Sequence, residues 1–194
     1  LPDAFPERVL ENAREQARRY SEHDLQDRLD LTNETIVTID PIDARDFDDA
    51  ISLERRADGS WRLGVHIADV AFFVQPGSPL DHEAQKRGNS VYLPDRVLPM
   101  LPEILSNALS SLQQDHVRYT KTAFIEFTPD GIPTHSELAN SAIRVKRRFA
   151  YEQVMPILHD PEAHRDELGD EVLSLLQRMH TLAMMLRKRR FAQG

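Results

Sequence analysis

Between Pro6 and Tyr20 the apolar residues Val9, Leu10, Ala13 and Ala17 recur at helical spacing, and Asp3 and Pro6 stand as start signals ahead of them. The spacing predicts an amphipathic helix that is mostly solvated. Residues 21–33 are polar and read as a loop. Thr35–Ile39 is then dominated by β-branched residues and reads as a short buried strand whose C-terminal end delivers Asp40. Ala50–Leu53 and Trp61–Ile67 flank Ala57-Asp58-Gly59-Ser60, where Asp-Gly is a turn signal, so the two runs are expected to pair as an antiparallel hairpin. Ser78, Pro79 and Gly88 bracket a short helix as N-cap, first residue and C-terminal stop.

Pro94, Pro99 and Pro102 make residues 92–102 an irregular loop, followed by a short helix over Ile104–Leu112. A second hairpin is expected from Tyr119–Thr128 and Ile132–Leu138 around Pro129-Asp130-Gly131, with Ala142–Phe149 as a third strand. Tyr151–Leu158 and Glu167–Arg190 read as helices, the second from Leu168, Val172, Leu175, Leu176, Met179 and Leu182 at steps of three and four. Strands and helices thus come in blocks, which argues an α+β fold with a mixed or antiparallel sheet.

Composition narrows the possible functions. The 194 residues suit one domain or slightly more, and 40% hydrophobic with 29% charged residues is a globular balance. A net charge of −8 argues against coating nucleic acid by bulk charge, so any such contact must be local. The absence of cysteine excludes disulfides, thiolate nucleophiles and thiolate metal sites, and fits a reducing cytoplasm. The longest apolar run, Val70–Val74, is far short of the roughly twenty residues of a membrane helix, so no membrane partner is expected. The chain opens at Leu1 without an initiator methionine or a signal-like segment and reads as a piece of something longer.

One segment demands a chemical explanation. Asp40, Asp43, Asp46, Asp48 and Asp49 place five carboxylates in ten residues, with Arg45 as the only cation among them. Two carboxylates about 5 Å apart repel by roughly 3 kcal/mol at an effective dielectric near 20. Bound cations or raised pKa values relieve such repulsion. Aspartate is a hard oxygen ligand suited to Mg²⁺, and two such ions can activate a water and stabilise a leaving oxygen in phosphodiester hydrolysis. The plain alternative is a solvated acidic loop. An EF-hand is excluded, because no register supplies both the required Gly and the closing Glu.

Three ordered blocks extend the picture: TIDPIDARDFDDAI, VHIADVAFFVQPGS and RGNSVYLPDRVLPMLPEILSNALSSL, with RVKRRFAYEQV after them. Together they resemble the catalytic domain of the RNase II/RNase R family, the RNB ribonucleases, and DARDFDD is nearer the RNase R branch. The resemblance implies an RNB-type catalytic fold and a processive, Mg²⁺-dependent 3′→5′ exoribonuclease that acts on single-stranded RNA and releases nucleoside 5′-monophosphates. It divides the chain into an N-terminal helix and linker over 1–34 and the N-terminal part of the catalytic domain over 35–194.

By position, Asp40, Asp46, Asp48 and Asp49 match the family's four active-site aspartates, shared between a pair of Mg²⁺ ions and water activation. Asp43 is assigned to supporting the loop, and Arg45 either offsets charge or pairs with Asp43. Tyr92 matches the aromatic that stacks on the 3′-terminal nucleotide, against packing under a proline-rich loop as the alternative. Tyr151 matches a second RNA-contacting tyrosine, with packing at a helix start as its alternative. Arg144 and Arg147, in a basic strand end with Lys146 and Arg148, are assigned to phosphate contact, whereas Arg187–Arg190 suits a helix terminus. His66 and Asp69 suggest an acid–base pair, but a satisfied core histidine fits the apolar setting of residue 66 better.

The family's later Glu-Glu-x-Met helix and its phosphate-clamping arginine segment do not occur in this sequence. Cold-shock and S1 RNA-binding domains are expected in the parent chain, and the isolated piece is expected to turn over weakly or not at all. Two other classes compete: a non-catalytic RNA-binding or regulatory protein that keeps the fold, and a scaffold whose acidic loop holds a basic partner.

Overall fold

A computed structural model describes residues 3–25, 27–44 and 46–193. A seven-stranded mixed sheet organises it: β1 (Leu29–Leu31), β2 (Val37–Asp40), β3 (Asp49–Arg55), β4 (Trp61–Ala68), β7 (Val117–Phe127), β8 (Pro133–Arg144) and β9 (Arg147–Ala150), in the order β1-β8-β7-β4-β3-β2-β9. Strands β5 (Val91–Tyr92) and β6 (Val97–Leu98) form a separate two-stranded hairpin. The helices are α1 (Glu7–Arg19), α2 (Val70–Phe73), α3 (Pro79–Arg87), α4 (Tyr151–His159) and α5 (Arg165–Gln193), with a π-helical segment at Ile104–Leu109 and a 3₁₀ turn at Glu162–His164. The α+β expectation holds.

The five inner strands are antiparallel, including the two expected hairpins, and a parallel pair closes each side. Alternation along the strands gives the sheet two apolar faces. Ile36 and Val37, adjacent in sequence and both fully buried, enter different cores. Val37, Leu53, Trp61 and Phe149 pack under Ile157 of α4 and Val172, Leu175 and Leu176 of α5. On the other face Ile36, Phe47, Ala50, Leu112, Phe124 and Ile143 form a second cluster. Helix α1 buries Val9 and Ala13 against Phe73, Leu80 of α3 and Leu105, so the helix expected to be mostly solvated covers a third cluster.

Several local expectations are corrected. The polar stretch 21–33 contains β1, which pairs in parallel with β8 from Leu29↔Ser141 to Leu31↔Ile143. Three residues with Asp30 at the centre are too short for an alternating pattern to declare itself. The expected third strand over Ala142–Phe149 is divided: Ala142–Arg144 completes β8, and β9 crosses to pair with β2. The irregular loop 92–102 holds the β5–β6 hairpin, and the helix expected over Ile104–Leu112 is a shorter π-helical segment. Helix α5 starts two residues earlier than its apolar pattern suggests and contains a kink at Gly169, whose φ of 73° and ψ of 161° are non-helical.

Helix α3 follows the sequence closely. Ser78 Oγ accepts the Asp81 N–H at 3.2 Å, Pro79 opens the helix and Gly88 ends it at φ 79°.

Candidate active site

The acidic segment leaves the sheet at the end of β2 and re-enters it at the start of β3. Between them Phe47 is the apolar anchor: it is buried, while Asp46 and Asp48 on either side are exposed. Its N–H donates to Ser111 Oγ at 3.1 Å, and its carbonyl accepts the Leu112 N–H at 2.8 Å. One residue later the Asp48 carbonyl accepts the Ala68 N–H at 2.9 Å. Ala44 N–H donates to the Pro41 carbonyl at 3.1 Å and turns the intervening chain. The inserted ring therefore fixes the backbone, and the flanking carboxylates are held outward by it.

The carboxylates act on one another. Burial raises the Asp40 pKa and the negative charges of Asp49 and Asp48 raise it further, while the Arg148 guanidinium and the Thr38 hydroxyl oppose them. Asp48 is also raised, first by desolvation, then by Asp46 and Asp49. All four family-matched aspartates thus belong to one electrostatic cluster. Asp40 Oδ2 is buried, and beyond a weak interaction of the carboxylate with the Thr38 hydroxyl it has no hydrogen-bond partner among the described residues, an arrangement that costs free energy. Hard oxygen donors, mutual repulsion and a poorly satisfied buried oxygen suit a divalent cation such as Mg²⁺. Among the described residues no group of three or more His, Asp or Glu side chains is already gathered as a metal nest. The fit is one of donor chemistry and charge.

The other residues singled out from the sequence divide between free and engaged. Tyr92 is 72% exposed in β5, opposite Val97, and Tyr151 is 58% exposed at the first position of α4. Among the described residues no hydrogen bond or ring contact ties Tyr92 to the aspartates. Arg144 is exposed at the end of β8. Arg147 forms an ion pair with Glu167, and Lys146 forms one with Glu171, so both cations are bound to the start of α5. A cavity of about 290 Å³ lies where β9, α4 and α5 meet, with Arg147, Phe149, Ile157 and Leu168 in its wall and none of the four aspartates. Asp43 is exposed, and Arg45 lies outside the described residues.

His66 is the core histidine that its neighbours suggest. It is fully buried, with Nε2 3.0 Å from Ser52 Oγ and Nδ1 2.8 Å from Thr122 Oγ1, and burial pushes its pKa down to about 4. Asp69 pairs instead with Arg28 Nη2 at 2.6 Å.

Sequence reasoning missed Arg148 as a contributor to the acidic segment. Its Nη2 donates to the Ile42 carbonyl at 3.1 Å, with longer contacts to the carbonyls of Ala44 (3.4 Å) and Pro41 (3.5 Å), and Cζ lies 4.5 Å from the Phe47 ring centroid. The available signal was Phe47 itself, the one aromatic residue inside the acidic run, which implies burial.

Comparison with known proteins places these features among relatives. A family model described as the RNB domain matches residues 28–194. Ribonuclease R of Thermotoga maritima is 43% identical over 193 residues, covering 100% of this chain and 27% of that protein. Ribonuclease R 1 of Lactococcus lactis subsp. lactis is 40% identical over 191 residues, covering 97% of this chain and 23% of that protein. In three dimensions the chain is similar to Mycoplasma genitalium RNase R in complex with ribose methylated single-stranded RNA, at a TM-score of 0.83 and 33% identity, covering 98% of this chain and 29% of that one. The chain therefore spans about a quarter of the length of the curated relatives it matches.

Proposed function

The chain belongs to the RNB-domain family, and on that premise we propose that it carries the acidic part of a catalytic centre that hydrolyses single-stranded RNA processively from its 3′ end, releasing nucleoside 5′-monophosphates. The observation that carries this reading is the run of carboxylates in which Asp40, with a buried oxygen, feels the charges of Asp48 and Asp49, and Asp48 those of Asp46 and Asp49. Similarity to an RNase R bound to single-stranded RNA supports the choice of substrate.

Asp40, Asp46, Asp48 and Asp49 would hold Mg²⁺, as a pair of ions. Bound there, the metal would lower the pKa of the attacking water and stabilise the leaving 3′-oxygen. The protein's own part is positional. Phe47 and the backbone bonds around it fix the directions of the flanking carboxylates. Tyr92, with its ring free in solvent, would stack on the terminal base, and a stack accepts any base because every base has a π-face. Tyr151 and Arg144 are the further RNA contacts of this reading. Arg147 would reach phosphate only by leaving Glu167.

Among the described residues no helix is long and apolar enough to cross a membrane. The proposal places the protein in the cytoplasm, supported by the absence of cysteine. It also expects cold-shock and S1 domains to supply RNA affinity in the longer protein.

Incubation of the whole protein with 5′-labelled RNA, with and without EDTA, tests the reading. A metal-dependent ladder with mononucleotide product is expected, and Asp48→Asn should bind RNA yet release no nucleotide. A stable RNA complex without shortening would make the protein a non-catalytic binder.

A further inference from the structure

Asp40 and Asp46 are joined by a five-residue connection that must pass close to other negative charge, and none of its described residues, 41–44, lies in a helix or a strand. Exposed loops of this kind fluctuate unless another element holds them. Arg148 comes from such an element. It lies in β9, where its backbone is in register with Thr38 of β2, two residues before Asp40, and its own N–H is held by Gln114 Oε1 at 3.1 Å. The side chain then reaches out of the sheet to the carbonyls of the loop, the bond to Ile42 at 3.1 Å being the shortest. The same guanidinium rests 4.5 Å from the centroid of Phe47, the residue between Asp46 and Asp48.

We infer that Arg148 is a positioning residue for the acidic centre, clamping the carbonyls of Pro41, Ile42 and Ala44 and the Phe47 ring and so fixing the loop that carries the aspartates. The inference rests on the reading of this loop as the metal-binding centre and deepens it. Three features support a clamp over a simple counter-charge. The bonds go to backbone carbonyls, whose positions define the loop. The planar guanidinium lies over an aromatic ring, a contact that an ammonium group cannot reproduce with the same hydrogen bonds. Its neighbours Lys146 and Arg147 pair with acidic residues of α5, whereas Arg148 is directed to the loop. The positive charge also offsets part of the carboxylate repulsion felt by Asp40.

The test compares Arg148→Lys, which keeps the charge, with Arg148→Met, which keeps the length alone. The readouts are amide hydrogen exchange at Ala44 and Phe47, with Val65 in β4 as an internal control of folding, and binding of Mn²⁺ by titration. With a clamp, both variants exchange at least about tenfold faster at Ala44 and Phe47 with Val65 unchanged, and Lys does not restore Mn²⁺ affinity. Exchange and Mn²⁺ affinity within twofold of the unmodified chain in Arg148→Lys would overturn the clamp and leave Arg148 as a counter-charge only. If exchange rises as expected but the unmodified chain binds no Mn²⁺, the clamp stands and the metal reading fails. Loss of protection at Val65 in both variants would overturn the inference in favour of a general structural role.

Discussion

Asp40 and Ala150 stand opposite each other at the end of the parallel β2–β9 pair. Because the strands are parallel, the chain leaves both at the same end of the sheet: Asp40 runs into the acidic loop and Ala150 into Tyr151, the first residue of α4. A carboxylate and an exposed aromatic separated by more than a hundred residues in sequence are thereby delivered to one place. The antiparallel pairing of β2 with β3 brings the chain back to that end with Asp48 and Asp49.

Tyr92 is exposed enough for its removal to leave folding intact. Tyr92→Ala is expected to weaken binding of single-stranded RNA by about 1–3 kcal/mol, a factor between about five and a hundred and fifty, with an unchanged denaturation midpoint. Fluorescence anisotropy with a short 5′-labelled oligonucleotide in the Asp48→Asn background, which does not shorten it, measures the difference. Equal affinities would remove Tyr92 from the RNA contacts.

Phe47→Ala should act at two levels. Truncating a buried phenylalanine costs about 3–5 kcal/mol, and this one contributes to the cluster with Ile36, Leu112 and Phe124. Urea unfolding should show that loss, whereas Phe47→Leu should recover most of the stability. If Asp46 and Asp48 owe their outward direction to the ring, Mn²⁺ affinity should fall more in the alanine variant than in the leucine variant.

The Arg28–Asp69 pair is buried, with only 8% and 2% of the two side chains exposed, and Arg28 also lies 4.4 Å from the Tyr119 ring centroid. Asp69→Asn leaves the guanidinium without its carboxylate and is expected to destabilise by about 3–5 kcal/mol. A double-mutant cycle with Arg28→Met should give a double variant less destabilised than the two single losses added together. Additive losses would show the two side chains acting independently.

His66 couples folding to pH. The unfolded chain accepts a proton near pH 6.5, whereas the folded chain holds the ring neutral until about pH 4. The unfolded state therefore binds more protons in that window. The stability that the neutral ring confers is complete above 6.5 and is lost as the pH falls toward 4, by up to about 3 kcal/mol. Denaturant midpoints at pH 7 and 4.5 should differ less in His66→Gln than in the unmodified chain. Equal slopes would assign the dependence to other groups.

What the sequence disclosed follows from how local each feature is. The Asp-Gly turn, the Ser78-Pro79 start and the step pattern of α5 are written in neighbouring residues, and the structure follows them apart from two residues at the start of α5 and its kink at Gly169. The carboxylate run was equally visible, since charge density needs no fold to be noticed. Strands β1 and β9 were obscured because each is short and takes its partner from far along the chain, Leu29 from Ser141 and Arg147 from Val37. The same distance hid Arg148, whose partners lie more than a hundred positions earlier. Arg147 looked like a phosphate ligand for the same reason: its engagement by Glu167 depends on where α5 docks.

The seven-stranded sheet finishes at either side in a strand of three or four residues, β1 and β9. Such a margin offers a passing chain few hydrogen-bonding sites, and on the β9 side Lys146 and Arg147 pin the start of α5 beside it. The molecule is thereby poorly suited to template its own stacking into fibrils, although its central strands are long enough to do so if they were laid bare.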